Sequence, residues 1–273
     1  MPEGPEIRLA ADRLNTILAN QTIEHAEFTL PGMQSAATRI IGKKVKRVTC
    51  HGKALLTQFA HGETLYSHNQ LYGVWRTTER GKLPKTNRSL RVGLHTARHS
   101  AFLYSATDVE LWPTDHLYQH PFLKKLGPDV LDSSISVINI VERLQDKRFR
   151  RRSLGSLYLD QAFIAGIGNY LRSEILFKAK LFPQSKPTDL SLHDLRRLAR
   201  ATLTVSQRSY QTRGVTVTKA TSKRLARLGG DFESYRFAVF GRANLACIEC
   251  GTVIGRTQIS GRRLYWCPAC QKS

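Results

Sequence analysis

The stretch CIECGTVIGRTQISGRRLYWCPAC, residues 247–270, decides how this chain is read. Its two Cys-x-x-Cys pairs, Cys247 with Cys250 and Cys267 with Cys270, are separated by sixteen residues, a spacing within the range of four-cysteine zinc sites. Thiolates on two tight turns close a tetrahedron around Zn²⁺, and a short tail needs such a staple because it cannot bury much core. Two disulfides are the alternative use of the same residues, suited to an oxidising compartment. Between the pairs, TVIGRTQISGRRLYW alternates as a hairpin does, with Arg256, Arg262 and Arg263 at or near its turn. Guanidinium groups on a rigid tip suit a DNA groove or phosphates; a solvated charged turn is the plain alternative.

Upstream of the cysteines the pattern is helical. SVINIVERLQD, SLGSLYLDQAF, NYLRSEILFKAKL and SLHDLRRLARATLTVSQRSY predict at least four helices between about 120 and 211. Within them, IAGIGNYLRSE (164–174) sets two glycines before an Asn at a helix start. Glycines let backbone approach a ligand, and unpaired N–H groups at a helix start attract phosphate; a plain turn reads the same way. The segment QTRGVTVTKATSKRLARLGGDFE (211–233) has no sustained period and is expected to be a mobile loop.

From Gln21 to about Trp112 the period shortens. The runs VKRVTC, ALLTQFA, TLYSH, GVWRTT, SLRVGLH and AFLYSA, broken by HGK, HGE, ERGKLPKTN and ARHS, predict an antiparallel β domain built as a sandwich. Before it, Ile7, Ala10, Ala11, Leu14, Ile17 and Leu18 recur at helical spacing, so the chain begins with an amphipathic helix. The fold class is therefore α+β, with boundaries expected at 1–120, 121–234 and 235–273.

Lys and Arg outnumber Asp and Glu 42 to 21 in the 273 residues, a net charge of +21 that favours a polyanionic partner. Charge alone does not choose between nucleic acid and an anionic membrane surface. No run of eighteen apolar residues occurs, and the first twenty residues carry Glu3, Glu6, Arg8, Asp12 and Arg13 where a signal peptide has an apolar core. The expectation is a cytosolic protein with nucleic acid as partner, and in that compartment clustered cysteines point to metal before disulfide.

The N-terminus, MPEGPEI, carries the chemistry. Removal of Met1 would leave Pro2 as a secondary amine with a pKa of roughly 8, partly neutral and nucleophilic near neutral pH. Such an amine attacking an aldehyde-like carbon forms an iminium, an electron sink. Glu3 beside it suits proton transfer. Lys53, in CHGKALLT, follows a glycine at a strand start, where it is either a held ammonium or a surface-loop lysine.

Together these pieces resemble the formamidopyrimidine-DNA glycosylase and endonuclease VIII family. The resemblance runs end to end through PEGPEI, HGKALL, GPDVL, LDQAFIAGIGNYLRSEIL and the four-cysteine finger with RRLYWC. Within the family, PEGPEI and SHNQLYGVW are similar to the bacterial endonuclease VIII branch. The resemblance implies a helix-two-turns-helix DNA-binding domain at 121–234, a catalytic sandwich before it and a β-hairpin zinc finger after it.

It further implies a bifunctional DNA glycosylase and AP lyase of base-excision repair, removing oxidised pyrimidines from double-stranded DNA and acting at abasic sites. Pro2 would be the nucleophile, Glu3 the general acid/base, Glu6 a supporting acid and Lys53 a catalytic phosphate-binding residue. Asn169 and Arg262 would grip phosphates beside the flipped nucleotide, and Gln70, Leu71 and Tyr72 would fill the gap it leaves. One structural Zn²⁺ on Cys247, Cys250, Cys267 and Cys270, no membrane association, a monomer and a bacterial cytoplasmic location complete the expectation. Arg263 stands where the endonuclease VIII pattern has proline, so a less rigid hairpin tip is expected. Competing readings are a formamidopyrimidine/8-oxoguanine-type glycosylase, a non-catalytic zinc-finger DNA-binding protein and a zinc-containing RNA-binding protein of the translation machinery.

Overall fold

The computed structural model describes residues 2–229 and 231–272. They pack as two compact units, one of Pro2 and Glu6–Lys125, the other of Glu3–Pro5 and the chain from Leu126 onward.

Helix α1 (Gly4–Leu18), which belongs to the first unit from Glu6 onward, buries Ile7, Ala11, Leu14 and Leu18, the stripe that its periodicity predicts. Each of the isoleucine and leucine side chains contributes about 1.5–3 kcal/mol when fully removed from water. Strand β1 (His25–Phe28) follows, then a short helix α2 (Ala36–Ile40) that the sequence reading did not anticipate. The remaining strands are β2 (Val45–His51), β3 (Ala54–Phe59), β4 (Glu63–His68), β5 (Val74–Glu79), β6 (Leu90–His95), β7 (His99–Tyr104) and β8 (Asp108–Pro113). They form two antiparallel four-stranded sheets, ordered β1-β6-β7-β5 and β2-β3-β4-β8. Val48, Leu55, Phe59 and Leu65 from one sheet share a core with Trp75, Val92, Leu94 and Leu103 from the other. This is the expected sandwich.

In the second unit, α3 (Val137–Gln145) starts at a capping box between Ser136 and Asn139. The single-turn α4 (Leu154–Leu157), α5 (Asn169–Lys178) and the twenty-residue α6 (Leu192–Gln211) follow. Helix α5 is buried almost all round, with Leu171, Ile175 and Leu176 packing against Leu157, Leu195 and Leu198. The expected mobile loop at 211–233 is a correction: it contains α7 (Lys219–Ala226) and leads into the one-turn α8 (Phe232–Tyr235). Thr218 caps α7 by accepting the Thr221 N–H, and Arg224 donates to the Ile248 carbonyl. Leu225 is its one buried residue, so no apolar period was there to be read.

The chain closes with the hairpin β9 (Gly255–Ile259) and β10 (Arg262–Trp266), with Arg262 opposite Ile259. Ser260 and Gly261 form a two-residue turn with φ of +52° and +71°, the left-handed pair that a type I′ hairpin requires. Arg256 is not at this turn as expected; it pairs with Tyr265 toward the other end of the hairpin.

Candidate active site and metal centre

Glu3 is 2% exposed. Its carboxylate accepts the N–H groups of Gly168 and Tyr170, both at 2.8 Å, and of Leu171 at 3.2 Å. These are orphan donors at the start of α5, so an acid more than 160 residues away in sequence caps that helix and lies at the positive end of its dipole. The Gly4 N–H donates to the Gly166 carbonyl at 2.8 Å, which seats the same segment a second time. The glycines are required for approach, not only for the turn. A Cβ on Gly168 would lie 2.4 Å from the Glu3 carboxyl carbon, and one on Gly4 would lie 3.1 Å from the Gly166 Cα. Gly168→Ala is expected to unseat Glu3, costing about 1–3 kcal/mol in thermal unfolding for the donors it strands. Wild-type stability in that variant would show that the seat is dispensable.

The turn before α5 is latched from inside. Gln161 accepts the Gly166 N–H at 3.1 Å and donates to the Ile167 carbonyl at 2.8 Å. Arg143 on α3 donates to the carbonyls of Ala162 and Phe163 at 2.6 and 2.7 Å. Half-buried Asn169 opens the helix, and its side-chain oxygen accepts a bond from Arg172 at 2.6 Å. Arg172 is fully buried and also bonds the Gly155 carbonyl at 2.8 Å and the Arg263 carbonyl at 3.2 Å, with longer contacts of 3.4 Å to those of Ile259 and Arg262. Asn169 and the hairpin turn bearing exposed Arg262 are thus brought together through a residue the sequence reading passed over. The available signal was an arginine three residues after Asn169 on one helix, the spacing at which side chains meet. In place of the looser tip expected without proline, a two-residue turn stands with its flanking carbonyls held by this guanidinium.

In the first unit, Lys53 is 9% exposed, so the surface-loop alternative does not describe it. It follows left-handed Gly52 (φ +58°) in the two-residue turn joining β2 to β3. Burial, opposed by Asp108 and reinforced by the Lys53 ammonium, holds the His68 imidazole below its ordinary pKa. Its Nδ1 accepts the Gln70 N–H at 3.1 Å, and Thr107 donates to the Gln70 side-chain oxygen at 2.8 Å. Gln70 is left-handed at φ +49°, and the Gly73 N–H closes the turn on the Asn69 carbonyl at 2.7 Å. The consequence is a tight loop that holds Leu71 and Tyr72 at 59% and 70% exposure. Large apolar side chains kept in water by a fixed backbone suit insertion into an apolar space. Pro2 and Glu6 are both half-buried; Met1, on whose removal the Pro2 amine depends, lies outside the described residues.

The sulfur atoms of Cys247, Cys250, Cys267 and Cys270 all lie within 4.8 Å of one another, with Cys247 to Cys270 at 3.9 Å and Cys250 to Cys267 at 3.5 Å. Four thiolates around a tetrahedral Zn²⁺ at about 2.3 Å stand about 3.8 Å apart, so the cluster fits a metal ion. The separations are too long for S–S bonds, and all four thiols are free. Burial raises the Cys247 thiol and pushes Cys270 up to about 12, while hydrogen bonds from Thr252 draw Cys250 down to about 6. A cation bound there would deprotonate all four. Around the cluster, Gln271 is 1% exposed and ties the Cys267 N–H at 2.9 Å to the Leu181 carbonyl at 3.0 Å.

Comparison with known proteins places the chain in a family. Residues 1–108 match the formamidopyrimidine-DNA glycosylase N-terminal domain, and residues 126–221 match the formamidopyrimidine-DNA glycosylase H2TH domain. The chain belongs to the formamidopyrimidine-DNA glycosylase and endonuclease VIII family of DNA glycosylases. Its curated relatives include Endonuclease 8 of Pectobacterium atrosepticum, 46% identical over 271 residues that cover 99% of this chain and all of that one. Endonuclease 8 of Enterobacter sp. is likewise 46% identical, over 272 residues and the whole of both chains. Among solved structures, wild-type Lactococcus lactis Fpg (MutM) bound to DNA containing an oxidized pyrimidine shares the fold, with a TM-score of 0.82 at 23% identity and full coverage of both chains. No helix among the described residues is long and apolar enough to cross a membrane.

Proposed function

We propose that this protein is a bifunctional DNA glycosylase and AP lyase of base-excision repair that removes oxidised pyrimidines through a Schiff base on Pro2. The observation that carries the reading is the buried Glu3 carboxylate, next in sequence to the candidate amine and held on three backbone N–H groups. The pyrimidine preference is supported by the PEGPEI and SHNQLYGVW motifs and by 46% identity to proteins named Endonuclease 8.

A base stacked in a duplex cannot present C1′ to an amine, so the nucleotide must be extruded and its place filled. Damaged bases stack or pair less well, which lowers that cost and contributes to selectivity. Leu71 and Tyr72, held out by the turn at Asn69–Gly73, fill the vacancy with Gln70. Lys53, Asn169 and Arg262 bind backbone phosphates on either side. Pro2, freed of Met1, attacks C1′ as the base departs with the amine proton; the nitrogen lone pair then expels O4′ from C1′ to give the iminium, with Glu3 relaying protons to O4′ and from the opening sugar and Glu6 supporting it. Loss of a 2′ proton then expels the 3′ phosphate, and a second elimination expels the 5′ phosphate, leaving a one-nucleotide gap with phosphate at both ends.

A Zn²⁺ ion on the four cysteines supplies no chemistry to these steps; it fixes the fold of the hairpin. In this reading residues 1–120 carry catalysis, 121–234 and the 235–273 finger bind duplex DNA, and a monomer in a bacterial cytoplasm suffices.

Borohydride trapping tests the proposal, using protein whose N-terminus is verified by mass and duplexes bearing thymine glycol, 8-oxoguanine or an abasic site. The expected adduct is strongest with thymine glycol among the damaged bases. A stronger one with 8-oxoguanine would keep the mechanism and overturn the pyrimidine preference. No adduct even at the abasic site would overturn the enzymatic reading in favour of DNA binding alone.

A further inference from the structure

Arg172 is the largest fully buried side chain among the described residues, and neither the Schiff-base steps nor the phosphate contacts above employ it. We propose that Arg172 is a positioning residue: its guanidinium orients the Asn169 amide as a pure hydrogen-bond donor toward DNA and fixes the turn that carries Arg262. This rests on the reading that Asn169 and Arg262 bind backbone phosphates.

An asparagine side chain offers an acceptor at one end and two donors at the other, and a phosphate oxygen accepts only. Arginine has donors alone. With Nη2 at 2.6 Å from Oδ1, Arg172 claims the acceptor end of Asn169 and turns the NH₂ end away from itself. An amide without that partner is free to present its oxygen to the phosphate, where like partial charges repel. The same Nη2 lies 3.2 Å from the Arg263 carbonyl and 3.4 Å from that of Arg262, and Nη1 lies 3.4 Å from the Ile259 carbonyl. The carbonyls on both sides of the Ser260–Gly261 turn are therefore held by the group that holds Asn169. Two phosphate ligands far apart in sequence acquire one common reference.

The charge needed for this persists inside the protein. Burial lowers the Arg172 pKa to about 10, opposed by the Glu3 carboxylate, so the guanidinium stays protonated near neutral pH. Lysine there keeps a cation but not a planar fork able to reach Asn169 and the hairpin together.

The test measures KM and kcat for cleavage of an abasic-site duplex by wild type, Arg172→Lys, Asn169→Ala and the double variant, with zinc content and melting temperature recorded for each. Each single variant is expected to raise KM at least fivefold with kcat within twofold, and the double variant to be no weaker than the worse single one within twofold. Multiplying effects, or an unchanged KM in a zinc-replete, stable Arg172→Lys protein, would overturn the inference. If that variant loses zinc or melts early, wild-type protein with ¹⁵N-labelled asparagine decides. The Asn169 side-chain NH₂ resonance, assigned by its absence in Asn169→Ala, is expected to shift when abasic-site duplex is added; an unmoved resonance overturns the proposal. Failure of the glycosylase reading is separable, because wild type would then give neither cleavage nor a borohydride adduct.

Discussion

Glu3→Gln is expected to lower base excision by at least about a hundredfold, the lower range for loss of a general acid/base. The structure adds a second reason for a large effect. The Glu3 carboxylate accepts three N–H groups on two oxygens, whereas glutamine would set an NH₂ against one of those donor sets. Part of the loss will therefore be a loosened start of α5, visible in thermal unfolding. Pro2→Gly separates the contributions: the side chain it removes accepts none of those bonds, so it should cut excision sharply while leaving melting near wild type. Binding to abasic-site DNA should survive in Pro2→Gly. Full excision activity in both variants would remove Pro2 and Glu3 from the mechanism.

Cys247→Ser is expected to abolish stoichiometric zinc, collapse the hairpin and weaken DNA binding at least tenfold. Metal binding to four-cysteine sites supplies about 10–16 kcal/mol of apparent folding free energy in isolated fingers. Few contacts here replace it: the finger's own buried cluster consists of Cys247, Ile254 and Cys267 with Val239, Ala238, Val217 and Phe177. Chelation of zinc from the wild-type protein should reproduce the variant, and restored zinc should reverse it. Unchanged zinc content in Cys247→Ser would show that the ligand set is wrong. Intact affinity for abasic-site DNA with zinc removed would show that the finger does not hold the duplex.

How much was legible varies with the range of the interaction. The α1 stripe, the alternating runs of the sandwich and the hairpin between the cysteine pairs are local patterns, and each became the predicted element. Helices α2 and α7 escaped because short helices with few buried residues carry no period. Lys53 read as ambiguous because a turn lysine is ordinarily exposed; only the packing of its sheet shows it buried.

By itself the sequence determined the α+β class, the four cysteines that could hold a metal ion and the family, since these depend on residue types at short, fixed spacings. Tertiary structure decided that Glu3 caps α5 and that Arg172 joins Asn169 to the hairpin turn. It also decided that the turn at Asn69–Gly73 holds Leu71 and Tyr72 in water. Those contacts pair orphan backbone groups and buried charges with partners up to 168 residues away. Such pairing is set by where the folded chain brings donors and acceptors together, and no local pattern of residues encodes it.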